Sequence, residues 1–139
     1  MNRRKIYIMV TALFMAVILS GCGENFTVIE EDKMKEFPEV HNYIELLQKE
    51  KPDYRGYKVF TNEDGAKIVV ISAGSGSKSL KLSRVHQSGK DTAIEFEERN
   101  IESEDVNPYL IVELDDIVGA FYVYEVQKEE VRGTGYYDE

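Results

Sequence analysis

Lys67-Ile68-Val69-Val70-Ile71-Ser72-Ala73 is the stretch on which the fold turns. In a strand, alternate residues point to opposite faces, so Ile68 and Val70 occupy one side and Val69 and Ile71 the other. Both sides are apolar, which predicts a strand at the centre of a sheet, covered on both faces. Just before it, Tyr57 to Thr61 reads as a second strand. The two are joined by Asn62-Glu63-Asp64-Gly65, whose Asp-Gly pair supplies the positive-φ position that a hairpin turn needs.

Working outward towards the C-terminus, the period stays close to two. Leu80 and Leu82 alternate with Lys81 and Ser83, Gln87-Ser88-Gly89-Lys90 forms a turn, and Thr92, Ile94 and Phe96 alternate with Ala93, Glu95 and Glu97. This predicts a meander with one wet face. Residues 100–107 are acidic and aperiodic, a loop. Pro108 to Leu114 and Ile117 to Val126 are two further strands. In the last, Phe121 and Val123 share one face and Tyr122, Tyr124 and Val126 the other, so it is expected to be central or covered.

Towards the N-terminus the period changes to 3.6. Val40, Tyr43, Ile44 and Leu47 follow i, i+3, i+4, i+7 spacing within Pro38 to Lys51. Pro38 suits a first helical turn and Pro52 stops the helix, while Glu39, Glu45, Gln48 and Lys49 form its wet face. Phe26 to Ile29 reads as a short strand or extended arm. The expected fold class is α+β: one amphipathic helix packed on a largely antiparallel sheet, or a small barrel, of about five to seven strands. The globular domain is expected over residues 37–126, with a polar, disordered tail over 127–139.

The first 21 residues differ in kind. Arg3, Arg4 and Lys5 precede an apolar run from Ile6 to Leu19, and Leu19-Ser20-Gly21-Cys22 closes it. This is the anatomy of a secretory signal peptide. The run is shorter than the ~20 apolar residues a membrane-spanning helix requires. The four closing residues resemble the lipobox of bacterial lipoproteins. That resemblance implies cleavage between Gly21 and Cys22, acylation of Cys22, and residues 22–36 as lipidated N-terminus and tether. Cys22 is the chain's one cysteine, so no intrachain disulfide can form. The expected location is the extracytoplasmic face of the cell membrane, with the lipid bilayer as first partner. Two or more acyl chains, at about 0.8 kcal/mol per buried CH₂, hold a protein there stably.

Loss of residues 1–21 removes three of 17 basic residues and none of the 26 acidic ones, so the formal charge moves from −9 to −12. Nucleic acid, whose phosphates demand a basic surface, is excluded as a partner, and so is a second, polybasic hold on anionic lipid. The remaining 118 residues suffice for one domain with its own core.

Motifs for chemistry are absent. Gly74-Ser75-Gly76-Ser77-Lys78-Ser79 follows an apolar strand as a phosphate-binding loop does, but Ser77 stands where that motif needs the glycine before its lysine, and alternating Leu80-Lys81-Leu82 follows instead of a helix. Nucleotide binding is not expected. None of Ser72, Ser75, Ser77, Ser79, Ser83 or Ser88 sits in a G-x-S-x-G elbow, and neither His41 nor His86 has an indicated partner. The histidines lack metal-ligand spacing, and the acidic clusters lack the spacing of a calcium loop. Glu102, Glu104 and Asp105 read as solvated charges, with a weak extracellular Ca²⁺ site in one loop as the alternative. No catalytic residue, metal or cofactor is expected.

Seven tyrosines, Tyr54, Tyr57, Tyr109, Tyr122, Tyr124, Tyr136 and Tyr137, crowd the C-terminal two thirds of a chain without tryptophan. Tyrosine offers contact area and a hydrogen bond at small entropic cost, which suits interfaces. The candidate partner-contact residues are Ser75, Gly76, Ser77, Lys78, Tyr109, Tyr122 and Tyr124.

The segments Gly56-Tyr57-Lys58-Val59, Asn62-Glu63-Asp64-Gly65, Lys67 to Gly74, Leu80 to Val85, Thr92 to Glu98 and Asn107 to Val112 resemble the C-terminal domain of PrcB-type proteins, a small exported all-strand module named for a subunit of a surface protease complex. The resemblance covers about Tyr54 to Leu114. It departs at Ser75 to Leu80, where family members carry Thr-Gly-Gly-Tyr, and at residues 100–107, where they carry a Pro/Gly-rich loop. It implies a binding module and brings no catalytic residues. The expected function is a lipid-anchored protein-binding or accessory module of a cell-envelope complex, with an envelope or secreted protein as partner and no enzymatic activity. The alternative is a small cell-envelope hydrolase. A transporter's solute receptor would need two lobes and a longer chain.

Overall fold

The computed structural model describes residues 25–126, 128 and 130–134. Along the chain run β1 (Phe26–Val28), α1 (Glu31–Met34), α2 (Pro38–Lys49), β2 (Arg55–Thr61), β3 (Lys67–Ala73), β4 (Leu80–Gln87), β5 (Asp91–Glu98), β6 (Tyr109–Leu114), β7 (Ala120–Glu125), β8 (Glu130–Val131) and β9 (Gly133–Thr134). The class is α+β with strand predominant, as the periodicities imply.

The strands form two sheets, in the orders β1-β6-β3-β2-β9 and β4-β5-β7-β8. Neither closes on itself among the described residues, so the barrel expectation is corrected to a sandwich. The nine described strands also exceed the five to seven expected, because β8 and β9 are two residues each and too short to leave a periodic signal.

β3 is the middle strand of the first sheet, and its apolar run is divided as the alternation requires. Ile68 and Val70 pack with Val40, Ile44 and Leu47 of α2, Met34 of α1, and Ile29 and Ile111. Val69 and Ile71 face the second sheet and pack with Ile94, Phe96, Phe121 and Val123. The first sheet is thus the middle of three layers. A strand in that position must be apolar throughout, since either face meets a core. α2 begins on Pro38 and ends on Lys49, two residues short of the expected Lys51. Gly65 has φ 89°, as the Asp-Gly turn requires.

The pairing is antiparallel except at two places. β4 and β5 form the expected hairpin, but the chain then leaves for the first sheet as β6, between β1 and β3, and returns as β7 parallel to β5. β9 runs parallel to β2. A simple meander is therefore replaced by a crossing between sheets. β7 lies between β5 and β8, and its Phe121 and Val123 are buried while Tyr122 and Tyr124 are half-buried on the outer face.

The domain is wider than residues 37–126. At its start, Phe26 packs against the inter-sheet core and Ile29 and Met34 are buried with α2, so the fold begins within the expected tether. At its end, Val131 is 3% exposed in the inter-sheet core. The expected disordered tail thus contributes two strands over Glu130–Thr134; residues 127, 129 and 135–139 lie outside the described residues, as do residues 1–24. No described helix is long and apolar enough to cross a membrane.

Candidate functional site

The registers sort the loops to two ends. At the near end, Asn25 accepts from the Asp115 amide (3.2 Å), Gln87 Nε2 donates to the Asp116 carbonyl (2.7 Å) and the Ala120 amide donates to the Lys90 carbonyl (3.2 Å). The β2–β3 turn belongs there too, because Lys67 is opposite both Thr61 and Leu114. The far end gathers Asp53, residues 74–79 and residues 99–107. A strand the length of β3 separates the ends by roughly 20 Å.

Two far-end loops are stitched to each other. The Ser79 amide donates to the Ile101 carbonyl (3.1 Å), the Arg99 amide to the Ser79 carbonyl (2.7 Å), and Lys78 Nζ to Asn100 Oδ1 (3.0 Å). Of the candidate contact residues, Ser75 is exposed and its hydroxyl bonds Asp53, Gly76 has φ 78°, and Ser77 Oγ donates to the Ala73 carbonyl (3.1 Å).

Asn107 holds this end together. It is fully buried. Its Oδ1 accepts from the Gly74 amide (2.8 Å), and its Nδ2 donates to the carbonyls of Lys51 (3.1 Å) and Tyr54 (2.9 Å). Its own amide donates to Gln48 Oε1 (2.8 Å), while its carbonyl accepts from Gln48 Nε2 (2.7 Å). One side chain thereby joins the end of α2, the segment into β2, the start of the 74–79 loop and the close of the 99–107 loop. The sequence marks Asn107 as the last residue of an acidic loop and the first of the Asn107 to Val112 segment, with no bonding role for its side chain. Asparagine immediately before a proline and an apolar strand was the available signal, and spacing alone does not show which backbone groups it will meet.

Beside these loops lies a cleft of about 220 Å³ lined by Glu31, Ser79, Ser103, Asp105, Pro108 and Tyr109 among others. The Asp105 carboxyl is raised above its ordinary value by partial removal from water and then by the charges of Glu31 and Glu104. Tyr109 is pushed up to about 12 by burial, then by Asp105 and Glu31. Its phenol therefore remains a hydrogen-bond donor at any physiological pH.

The remaining candidates lie elsewhere. Tyr122 and Tyr124 stack on the outer face of the second sheet, ring centroids 6.0 Å apart at 22°. Burial, Glu130, Tyr122 and Asp91, in that order, raise the Tyr124 phenol. The structure thus unites Tyr109 and residues 75–78 at the far end and separates them from the tyrosine pair. Gly21 and Cys22 lie outside the described residues.

His41 is 3.6 Å from Glu45 on α2, and His86 Nδ1 is 3.4 Å from Arg84 on β4. Neither histidine lines the cleft. No group of three or more His, Cys, Asp or Glu able to hold a metal ion occurs among the described residues.

A second residue that sequence reading passed over is Glu125. It follows Phe121 and Val123 on the inward face of β7 and is 3% exposed. Its carboxylate takes Arg55 of β2 at 2.5 Å and Lys128 at 2.8 Å. Burial works to raise its pKa, but hydrogen bonds from Lys128 and Arg55 and their charges outweigh it and hold the carboxyl below its ordinary value. A charge in phase with two apolar residues was the signal.

A chain with these features matches a curated relative over nearly its whole length. It is 33% identical over 124 residues to the uncharacterized protein YycS of Bacillus subtilis (strain 168), spanning 86% of this chain and 90% of the relative. The chain belongs to the YycS family. No protein-family model matches it, and no solved structure is similar to it. The aligned share of the YycS relative is long enough to take in most of the two-sheet core.

Proposed function

We propose that this member of the YycS family is a membrane-anchored extracytoplasmic lipoprotein whose domain binds another protein as an accessory module of a cell-envelope complex. The observation that carries the reading is the polarity of the fold. β1 leaves Asn25 at the near end, and the hydrogen-bonded loops 74–79 and 99–107 lie at the far end. Cys22 precedes Asn25 by three residues, which span at most about 11 Å. An acylated Cys22 would hold the near end at the bilayer and present the far-end loops outward. The strand patterns shared with PrcB-type modules add to the binding reading.

Two measurements test the anchor. Radiolabelled palmitate and mass spectrometry of the mature N-terminus are expected to show an acyl mass on Cys22, and Cys22→Ala is expected to leave the chain uncleaved or shed into the medium. Detergent-phase partitioning unchanged by Cys22→Ala, with no acyl mass, overturns the proposal. The alternative, a small envelope hydrolase, has the raised Asp105 carboxyl in its favour, and release of product from purified peptidoglycan or envelope peptide would support it.

A further inference from the structure

Ile101 and Val106 are the two most exposed large apolar residues among those described, at 52% and 57%. Isolated exposed apolar side chains are ordinary on protein surfaces. These two share one loop held at both ends: the Ile101 carbonyl is bonded to the Ser79 amide, and Val106 immediately precedes the buried Asn107. Between them in sequence stand Glu102, Ser103, Glu104 and Asp105, and Ser103 and Asp105 line the 220 Å³ cleft with Glu31 and Tyr109.

We propose that this tip is the docking surface for a protein segment carrying an arginine or lysine beside an apolar residue. The cation enters the cleft between Glu31 and Asp105, and the apolar group packs on Ile101 and Val106. This rests on the binding-module reading and names the chemistry of its partner.

Size and charge select that occupant. Ligand pockets for small molecules run to roughly 300–1,000 Å³, so about 220 Å³ fits one long side chain better than a metabolite. Partial removal from water raises the Asp105 carboxyl first, the charges of Glu31 and Glu104 add to that, and an incoming cation relieves the repulsion among the three. The neutral Tyr109 phenol and the hydroxyls of Ser79 and Ser103 supply further polar contacts at the cleft wall. Hydrogen bonds brace the loop at both ends, from Ser79 to Ile101 and from Asn107 to Gln48, which lowers the conformational freedom that docking forfeits. The chain's acidic balance favours approach by basic surfaces, an effect that salt screens within about 10 Å at 0.1 M.

The test is photo-crosslinking of the full-length chain in native membranes, with a benzophenone amino acid placed in turn at Ile101, Val106, Ser83 and Tyr122. A discrete protein adduct is expected from positions 101 and 106 and none from Ser83, an exposed position on the flank. Mass spectrometry should locate the adduct next to an arginine or lysine of the partner. Its yield should drop about tenfold in Glu31→Gln/Asp105→Asn, as for loss of a charged contact at an interface, and also in 0.5 M salt. Thermal melts of each variant check that the domain still folds.

Adducts from Tyr122 with none from positions 101 and 106 overturn the docking site, as does a blank at all four positions. Adducts insensitive to salt and to the carboxylate substitutions overturn the cationic partner. The anchor stands or falls separately: an acyl mass on Cys22 with no adduct retires the docking site alone, and adducts without an acyl mass retire the anchor alone.

Discussion

Arg55, the first residue of β2, bonds Glu125, the last residue of β7, at 2.5 Å and so ties the two sheets together at the far end. The pair is lopsided, since the Arg55 side chain is 39% exposed and the Glu125 side chain only 4%. Losing Arg55 leaves the buried carboxylate with Lys128 alone, at 2.8 Å on its other oxygen, whereas losing the carboxylate leaves a guanidinium that water can reach.

Arg55→Met is therefore expected to destabilise the domain more than Glu125→Gln, by about 1–3 kcal/mol against less than about 1 kcal/mol. Urea titration of both variants measures the difference. Equal effects would mean that Arg55 is solvated and the link is nominal.

The same carboxyl sets an acid dependence. Its folded pKa lies below the ordinary 4.5, so its contribution to stability is complete above that value and is lost as pH falls through the lower folded value. Stability of the wild-type chain should decline below about pH 4.5 more steeply than that of Glu125→Gln. Parallel stability curves for the two proteins over pH 2–5 would remove Glu125 from the acid transition.

Asn107→Ala removes three side-chain hydrogen bonds, those to the Gly74 amide and to the Lys51 and Tyr54 carbonyls, of which the Lys51 carbonyl keeps the Tyr54 amide as a partner. A buried group left unpaired costs roughly 1–3 kcal/mol, so a loss of about 3 kcal/mol is expected, with faster amide exchange at Gly74. Asn107→Asp should do no better, because a carboxylate cannot donate to the two carbonyls. Unchanged exchange at Gly74 would deny Asn107 its organising role.

Gly119 and Gly76 both adopt positive φ, 66° and 78°, but their surroundings differ. A Cβ on Gly119 would strike the Lys90 carbonyl, and one on Gly76 would meet open space. Alanine at 76 should cost only the left-handed penalty of roughly 1–2 kcal/mol. At 119 the clash with backbone adds to it, for about 3 kcal/mol or more. Thermal unfolding of the two variants should rank them in that order, and the reverse ranking would displace Lys90 from the turn.

Tyr109 should titrate at about 12, well above the ordinary 10.0, because burial and the nearby Asp105 and Glu31 disfavour phenolate. With the folded value raised, this stabilisation is intact below pH 10.0 and is lost as pH rises through about 12. Ultraviolet difference titration of the wild type and Tyr109→Phe isolates the group. A Tyr109 transition near 10 would place the phenol in water, outside the cleft.

Some elements were legible because one local pattern dictates them. The doubly apolar Ile68 to Ile71 run made β3 central, the i, i+3, i+4, i+7 spacing from Val40 to Leu47 made α2, and Asp64-Gly65 made the hairpin. The acidic balance and the lipobox-like Leu19 to Cys22 segment are properties of the sequence too. What the tertiary structure decided is partnership at long separation. Period-two alternation says that a strand has two faces but not which strand lies beside it, so the β5–β7 parallel pairing and the departure of β6 to the other sheet had no local sign. The same holds for Asn107 and Gln48, 59 residues apart, and Arg55 and Glu125, 70 apart. Those contacts exist because burial forces polar groups to find partners wherever the chain happens to pass, and only the folded arrangement says where that is.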